Sequence, residues 1–351
     1  MLYAYPWTEG RNWVHESVVA VLNVIHEAAA DGSRDPKWPD ILPIAHRHKL
    51  KSRLGLRKRL KAYSTSFRGL SLKDQIRVAE ALVEQNMVAE LLSGVGTCDR
   101  VADLPELIRD PICELFEFGF GLLGELGVRD EQYAELYDAL PGKVCPFCGL
   151  EYFDAPGAPR EALDHYLAFS LYPLAGANLR NLVPIGHKCN SSYKFTKDVI
   201  RRSDGTSRIC PDPYKATPIE IDLNDSEPFA GPNHGHPMWD LKFTPGGELA
   251  ETWDAVFAIR ERYVRDILEP SFKIWLGDFG RWAAGRQASV ATSDSLLETL
   301  DAHIDYFRSM GLRDRAFLKE AVFRMLRFHC ANGNIRLIEL LGAMVELHLG
   351  N

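Results

Sequence analysis

The sequence has no long hydrophobic run, no basic leader at its start, no internal repeat and no low-complexity tract. No stretch of about 18 apolar residues is free of charged side chains, which argues against a membrane span. The first residues lack a basic region followed by an apolar core, so we expect no signal peptide. These absences together predict a cytoplasmic protein with no membrane partner.

Cysteine is scarce and odd in number, with seven in 351 residues. Without an export signal, an odd count argues against a disulfide framework and favours reduced thiols. Two of the seven form the pair Cys145-x-x-Cys148. This spacing is typical of metal ligands in a cytosolic protein.

Acidic residues are missing from one segment, although the net charge of the chain is -7. Residues 44–73 hold ten Lys and Arg and no Asp or Glu, which leaves the remainder strongly acidic. Leucines on one side of this segment leave a broad basic face that includes Arg57, Lys58 and Lys61. The face could hold a DNA backbone. Alternatively, it is a solvated helix that pairs with acidic residues from elsewhere in the chain.

Apolar residues at helical spacing predict a mainly α fold. Residues 1–140 and 216–351 are expected to be helical regions, and they flank a segment, 141–215, that is rich in Pro, Gly, Cys and Asn. Asp110-Pro111 is expected to break or start a helix. The predicted helices include 18–26, 75–92, 104–126, 255–268, 271–282, 293–307 and 314–349, the last broken at 332–334. The predicted strands of the last region are 219–223, 239–244 and 249–253.

The central segment predicts a zinc site. Cys145 and Cys148 have the spacing of a zinc knuckle, in which one turn directs two thiolates at one ion. Cys189 is the natural third ligand, and Gly186 stands where a second Cys-x-x-Cys pair would place another thiol. Either His187 or Cys210 could complete the tetrahedron.

Asp164-His165 is the candidate catalytic pair. Residues 160–167 have the pattern of a short strand, whose neighbouring side chains point to opposite faces. If both side chains meet one phosphate, the strand must therefore end or kink at this pair. A neutral imidazole at His165 would serve as a base. Asn181 is a poor strand residue, and its amide could tie down the loop after the pair.

Asn190 lies in the first turn of the next predicted helix. An amide oxygen there could bind a divalent cation, since hard cations prefer oxygen ligands. Lys188, Lys194 and Lys197 lie on or near the same helix and favour contact with phosphate. The alternative is a solvated basic face.

The order Cys-x-x-Cys, Asp-His-Tyr-Leu, Asn-Leu-Val-Pro and Cys-Asn, with a lysine soon after, resembles the cysteine-bearing branch of the HNH nuclease superfamily over residues 145 to about 198. The resemblance implies a ββα-metal fold, in which two strands and a helix hold one catalytic divalent ion. It implies that His165 is the general base and that Asp164 and Asn190 bind the ion. It further implies that Asn181 braces the loop and that Lys194 neutralises a backbone phosphate.

Two positions depart from that family's pattern. Ala168-Phe169 replaces a Pro-Lys pair, and Gly186 replaces the fourth cysteine. The catalytic set is complete despite both changes.

The expected function is hydrolysis of DNA with Mg²⁺, or with Mn²⁺ or Ni²⁺, leaving a 5′ phosphate and a 3′ hydroxyl, beside a structural zinc. Proteins with this module and helical flanks resemble components of bacterial restriction and antiphage systems, which would make other defence proteins partners. One alternative is a zinc-stabilised module that binds nucleic acid without cutting it. Another is an interaction protein whose helical flanks dock partners in a larger complex.

Overall fold

The computed structural model describes residues 1–7, 11–158, 163–232 and 235–349. This part of the chain is mainly helical and carries two small two-stranded sheets, which confirms the predicted mainly α class. No helix within these ranges is both long and apolar enough to cross a membrane.

The chain divides into two compact units. The N-terminal unit consists of Ala4–Ala139 and Phe153–Ala216, and the C-terminal unit of Met1–Tyr3, Leu140–Tyr152 and Thr217–Asn351. The segment that was predicted to be one module, 141–215, is thus shared between them. A division of the sequence into three consecutive domains stays a prediction.

The N-terminal unit contains seven α-helices and one antiparallel hairpin within its described residues. The helices are α1 (Trp13–Ala30), α2 (Arg47–Leu50), α3 (Leu54–Arg68), α4 (Leu72–Asn86), α5 (Val88–Leu92), α6 (Glu106–Glu125) and α7 (Val128–Ala139). The strands are β1 (Leu163–His165) and β2 (Leu182–Pro184). Short 3-10 turns lie at Val101–Asp103, Pro173–Ala175 and Leu179–Asn181, and a π-helix spans Cys189–Lys194.

Helix α6 is the central helix of this unit, because α1, α3 and α7 all pack against it. Its buried residues recur at helical spacing, from Ile108 through Ile112 and Leu115 to Leu122. The helix runs through Pro111, so the expected break or start at Asp110-Pro111 is wrong. The proline lies in the second turn, where the packing of this apolar stripe outweighs the lost backbone hydrogen bond.

The β1–β2 hairpin positions the candidate site. The register pairs Asp164 with Val183 and His165 with Leu182. Strand β1 ends at His165, at the point where the sequence requires an end or a kink. The predicted strand 160–167 begins in residues 160–162, which lie outside the described residues. The π-helix follows β2 along the chain. At its end, the Phe195 amide donates a hydrogen bond to the Asn190 carbonyl at 2.6 Å.

The C-terminal unit pairs β3 (Glu220–Asp222) with β4 (Lys242–Thr244) as a second antiparallel hairpin. Its remaining elements are a 3-10 turn (Pro141–Lys143), α8 (Glu248–Phe257), α9 (Ile259–Arg262), a π-helix (Tyr263–Leu268), α10 (Glu269–Gly285), α11 (Ser293–Met310), a 3-10 turn (Arg313–Arg315), α12 (Ala316–Ala331) and α13 (Ile335–Leu349). The predicted strand 249–253 is wrong, since these residues belong to α8. Its buried Ala250, Trp253 and Phe257 follow a helical and not an alternating spacing.

His303 lies in the aromatic core of this unit. Helix α11 packs on α12, and the imidazole is 2% exposed. Within the described part of the chain, neither of its ring nitrogens has a hydrogen-bond partner. Burial, and then the charges of Arg286 and Lys319, lower the pKa of His303 from 6.5 to about 3. The rings around it, with centroids 4.4 to 6.3 Å away, are Phe279, Trp282, Tyr306, Phe307 and Phe323.

We predict that His303→Leu stabilises the protein, most strongly at low pH. The variant removes two buried nitrogens without partners, so the unfolding free energy at neutral pH should rise by about 1 kcal/mol. Because the folded-state pKa of His303 is below its unfolded value, the wild type loses stability as the pH falls below 6.5. This loss amounts to about 1.4 kcal/mol per pH unit from this one group.

Urea unfolding from about pH 7.5 down to about pH 4.5 measures the effect, and the variant should lack that part of the slope. The exposed His48, replaced by Leu, is the matched control and should follow the wild type. Parallel pH profiles for wild type and His303→Leu would contradict the prediction.

Candidate functional site

Asp164 and Asn190 meet at the mouth of the β1–β2 hairpin. The Asn190 side-chain amide donates a hydrogen bond to Asp164 Oδ2, while Asp164 Oδ1 accepts one from the His165 backbone amide at 2.8 Å. Both side chains are half-buried. Half a turn about the last torsion of Asn190 would direct its amide oxygen, in place of the nitrogen, into the same space. The pair can therefore supply a carboxylate oxygen and an amide oxygen to one hard cation.

The His165 ring is fixed in one orientation and one tautomer. Its Nε2 lies 2.8 Å from the carbonyl oxygen of Gly176. A carbonyl oxygen only accepts, so Nε2 must carry the proton and Nδ1 keeps its lone pair. The rings of Phe120 and Phe169 pack against the imidazole, with centroid distances of 4.6 and 5.3 Å.

Burial keeps the His165 ring neutral. It lowers the pKa of His165 below the ordinary value, and the positive charges of Lys194 and Arg129 act in the same direction. The bond to Gly176 and the charge of Asp164 oppose the shift. The result is an uncharged imidazole with an available lone pair, which is the state that a general base requires.

Asn181 holds the loop that carries the Gly176 carbonyl. Its side chain is fully buried, accepts from the Leu167 amide at 2.7 Å and donates to the carbonyls of Leu167 and Ala175 at 3.1 and 3.3 Å. The sequence predicts such bonds from the Asn181 amide to the loop that follows Asp164-His165. Gly176 is itself required, because a Cβ at this position would lie 2.5 Å from the ring of Phe169.

Arg129 is a candidate site residue that the sequence did not reveal. It lies in the first turn of α7, and its guanidinium carbon is 4.3 Å from the centroid of the Phe120 ring, the same ring that contacts His165. Burial lowers the pKa of Arg129, and the carboxylates of Asp130 and Asp164 oppose that shift. No hydrogen bond or ion pair of this guanidinium is found among the described residues. Its five donors are therefore available to an anion beside Asp164.

The lysines of the following segment differ in position. Lys194 is 2% exposed, and its ammonium donates to the Phe195 carbonyl at 3.5 Å. Burial lowers the pKa of Lys194, whereas the charge of Asp164 raises it, so this ammonium belongs to the interior of the site. Lys188 and Lys197 are exposed. Contact of Lys194 with a phosphate would thus occur inside the site, while the other two lysines could act only at its surface.

Three cysteines form a buried cluster. The thiols of Cys145, Cys148 and Cys189 all lie within 4.8 Å of one another, which is a geometry that could hold a metal ion such as zinc. Within the knuckle, the Gly149 amide donates to the Cys145 carbonyl at 2.7 Å, and the Leu150 amide donates to Cys148 Sγ at 3.4 Å. Backbone donors to sulfur stabilise the thiolate form that binds metals.

Neither proposed fourth zinc ligand belongs to this cluster. His187 is exposed, and within the described residues only the three thiols lie close enough together to share one metal ion. Cys210 Sγ instead lies 3.0 Å from the Tyr166 hydroxyl, and burial raises the pKa of this thiol to about 11. The knuckle spacing thus identified three thiols, but the sequence offered no means of choosing a fourth ligand.

The basic face of α3 is exposed at Arg57, Lys58 and Lys61. No ion pair or hydrogen bond of these three side chains is found in the described ranges. Other cations of the segment 44–73 are engaged, since Arg47, Arg53 and Arg68 pair with acidic groups. For these three residues, the expected alternative of pairing with acidic groups elsewhere therefore does not hold.

The site as a whole combines a neutral base, a carboxylate, an amide, one buried cation and one half-buried cation within one unit. Such a set can bind an anionic group, hold a divalent cation and accept a proton. Comparisons of the chain with known protein families, with characterised proteins and with solved structures found no match, so every functional conclusion depends on the residues described above.

Proposed function

We propose that the protein is a metal-dependent nuclease that hydrolyses DNA phosphodiester bonds. The observation that carries the proposal is the 2.8 Å bond from His165 Nε2 to the Gly176 carbonyl, which leaves Nδ1 as a base. The base lies next to an acid and an amide that can hold a hard cation. The order of strand, loop, strand and helix agrees with the ββα-metal arrangement that the HNH resemblance implies.

The chain's own groups account for the proton and for the charge of the substrate. His165 Nδ1 accepts a proton from a water molecule, whose oxygen bonds to phosphorus as the bond from phosphorus to the 3′ oxygen breaks. The electron pair leaves on that oxygen, which takes a proton from a solvent water, so the products are a 5′ phosphate and a 3′ hydroxyl. Arg129 and Lys194 offset the negative charge of the phosphate inside the site.

Asp164 and Asn190 are the residues that would hold the catalytic ion. A carboxylate oxygen and an amide oxygen suit Mg²⁺, and also Mn²⁺ or Ni²⁺. When bound, such an ion supplies positive charge that stabilises the phosphate oxygens and the departing oxygen. The direct bond between the two side chains supports this role, because it shows that both can reach one point.

A structural zinc at Cys145, Cys148 and Cys189 belongs to the same proposal. A fourth ligand from outside the cluster would complete the tetrahedron, and His187 and Cys210 are the two candidates that the sequence offers. DNA would extend over exposed cations, among them Lys188, Lys197 and the basic face of α3. By resemblance, such an activity would serve bacterial defence against foreign DNA.

We predict that His165→Ala abolishes cleavage and preserves binding. Loss of a general base lowers a rate by about 10²- to 10⁴-fold, while the charges that hold DNA remain. The assay is conversion of supercoiled plasmid to nicked or linear product with Mg²⁺, Mn²⁺ or EDTA, beside a binding titration. Asn190→Ala should lose cleavage with each added ion, because the variant lacks one of the two side chains that would hold it.

His329 provides a matched control in the C-terminal unit, because its Nε2 also lies 2.8 Å from a backbone carbonyl, that of Ser226. His329→Ala loses an equivalent bond and should cleave like the wild type. A wild type that binds DNA but does not cut it with any of the ions would identify a binding module. Cleavage that survives His165→Ala would contradict the assignment of the base.

We predict that Arg129→Gln lowers cleavage by about 10- to 100-fold, since a half-buried donor to the phosphate is lost. Arg129→Lys should recover only part of the activity because an ammonium lacks the planar fork. The control is Arg59→Gln on α3, whose guanidinium carbon lies 4.5 Å from the Phe118 ring and so makes a similar cation–π contact. If the two Gln variants lose activity equally, Arg129 supports only the packing of α6.

We predict that the purified protein contains about one zinc per chain and that Cys189→Ser loses it, because three or four ligands are needed for tight binding. Elemental analysis measures the metal, and the thermal midpoint should fall with it. Cys113→Ala, outside the cluster, should retain the zinc. Separate His187→Ala and Cys210→Ala variants would identify a fourth protein ligand. Full zinc content in Cys189→Ser would refute the site.

A further inference from the structure

A cavity of about 330 Å³ in the N-terminal unit is separate from the candidate site. Three parts of the chain form it: the α1 helix, the segment 35–41 and the exposed side of α3. The residues that matter are Ile25, Lys37, Trp38, Arg57, Leu60 and Lys61. Small-molecule sites in proteins begin at about this volume.

Positive charge is concentrated at this cavity. Lys37, Arg57 and Lys61 line it, and no ion pair or hydrogen bond of their side chains is found among the described residues. Arg57 and Lys61 are four residues apart on α3, so they share one face of the helix. Charges of one sign that converge on a concave surface attract an anion more strongly than the same charges spread over a flat one.

Asp35 is the one acidic residue that lines the cavity, and its charge is already offset. Its Oδ1 accepts from Arg68 and its Oδ2 from the Ser64 hydroxyl. The three remaining cations therefore have no counter-charge in the cavity. An occupant with one or two negative charges would supply it.

One wall of the cavity is aromatic and apolar. Trp38 is half-buried, and its indole nitrogen donates to the Lys51 carbonyl at 3.0 Å, which fixes the position of the ring. Ile25 and Leu60 are buried beside it. A flat ring next to cations suits a ligand that carries both a planar aromatic group and a phosphate.

We propose that this cavity binds a nucleoside phosphate. The phosphate contacts Arg57 and Lys61, with Lys37 at the rim, and the base packs against Trp38. The ligand could be a free nucleotide or the terminal nucleotide of a nucleic-acid strand, since both present the same chemistry. The proposal does not depend on the nuclease activity, because no residue of the cavity belongs to the site around His165.

Calorimetric titration of the full chain tests the proposal. The probes are the four ribonucleoside 5′-monophosphates, the corresponding nucleosides, inorganic phosphate and a 5′-phosphorylated single-stranded oligonucleotide beside its unphosphorylated form. At least one monophosphate or the phosphorylated strand should bind saturably, and loss of its phosphate should weaken binding at least about tenfold. Arg57→Ala and Lys61→Ala should each weaken it to a similar degree.

Lys58→Ala is the matched control. Lys58 is the neighbour of Arg57 on α3, is equally exposed and carries the same charge, but does not line the cavity. This variant should change the affinity for a free monophosphate less than about twofold. Trp38→Ala should weaken nucleotide binding and leave the weak binding of inorganic phosphate unchanged. Thermal midpoints of all variants verify that the fold is intact.

The relative affinities of these probes distinguish a free nucleotide from a strand end. Equal affinity for a free monophosphate and the phosphorylated strand identifies a free nucleotide as sufficient, whereas a strand that binds at least about tenfold more tightly identifies a strand end. Three results would overturn the proposal: no saturable binding of any probe at millimolar concentration, nucleosides that bind as well as their phosphates, or a Lys58→Ala variant as impaired as Arg57→Ala. The last would indicate a diffuse surface for the nucleic-acid backbone.

Discussion

The position of one backbone carbonyl determines the chemistry of the candidate site. Gly176 presents its oxygen to His165, and that contact alone decides which ring nitrogen carries the proton. The carbonyl stays in place because the fully buried Asn181 side chain makes hydrogen bonds to three backbone groups of the same loop. Since a buried amide without partners is costly, the loop cannot move without losing several bonds at once. A local hydrogen-bond network thus sets the proton-accepting property of a ring on the neighbouring strand.

Burial disfavours the charged form of three ionisable groups at this site. It lowers the pKa of His165, of Lys194 and of Arg129, and the charge of Asp164 opposes the shift in each case. The imidazole is therefore neutral, and the cations of Lys194 and Arg129 lie near the carboxylate of Asp164. In a region with little water these charges interact more strongly than at the surface.

The sequence predicted the features that depend on near neighbours and missed those that depend on distant ones. Short motifs predicted the end of a strand at His165 and the interruption of the last helix between α12 and α13. The Cys145-x-x-Cys148 motif likewise indicated the thiol cluster. Arg129 and Gly176 were not foreseen, because their roles arise from contacts that α6 and the hairpin loop bring together. The misassigned strand at 249–253 shows a related limit. Its letters, Leu-Ala-Glu-Thr-Trp, do not alternate between apolar and polar, and packing selected the helical spacing of Ala250 and Trp253.

The short π-helix after the hairpin has a geometric consequence of its own. Five residues separate Cys189 from Lys194, and in an α-helix they would point about 140° apart. The wider turn, which closes each ring after five residues, instead brings both side chains to the interior, where they are 0% and 2% exposed. A thiol and an ammonium therefore share one side of a segment only six residues long. If the same six residues wound as an α-helix, the two side chains would be separated by more than a third of a turn, so the π conformation itself places both of them in the interior.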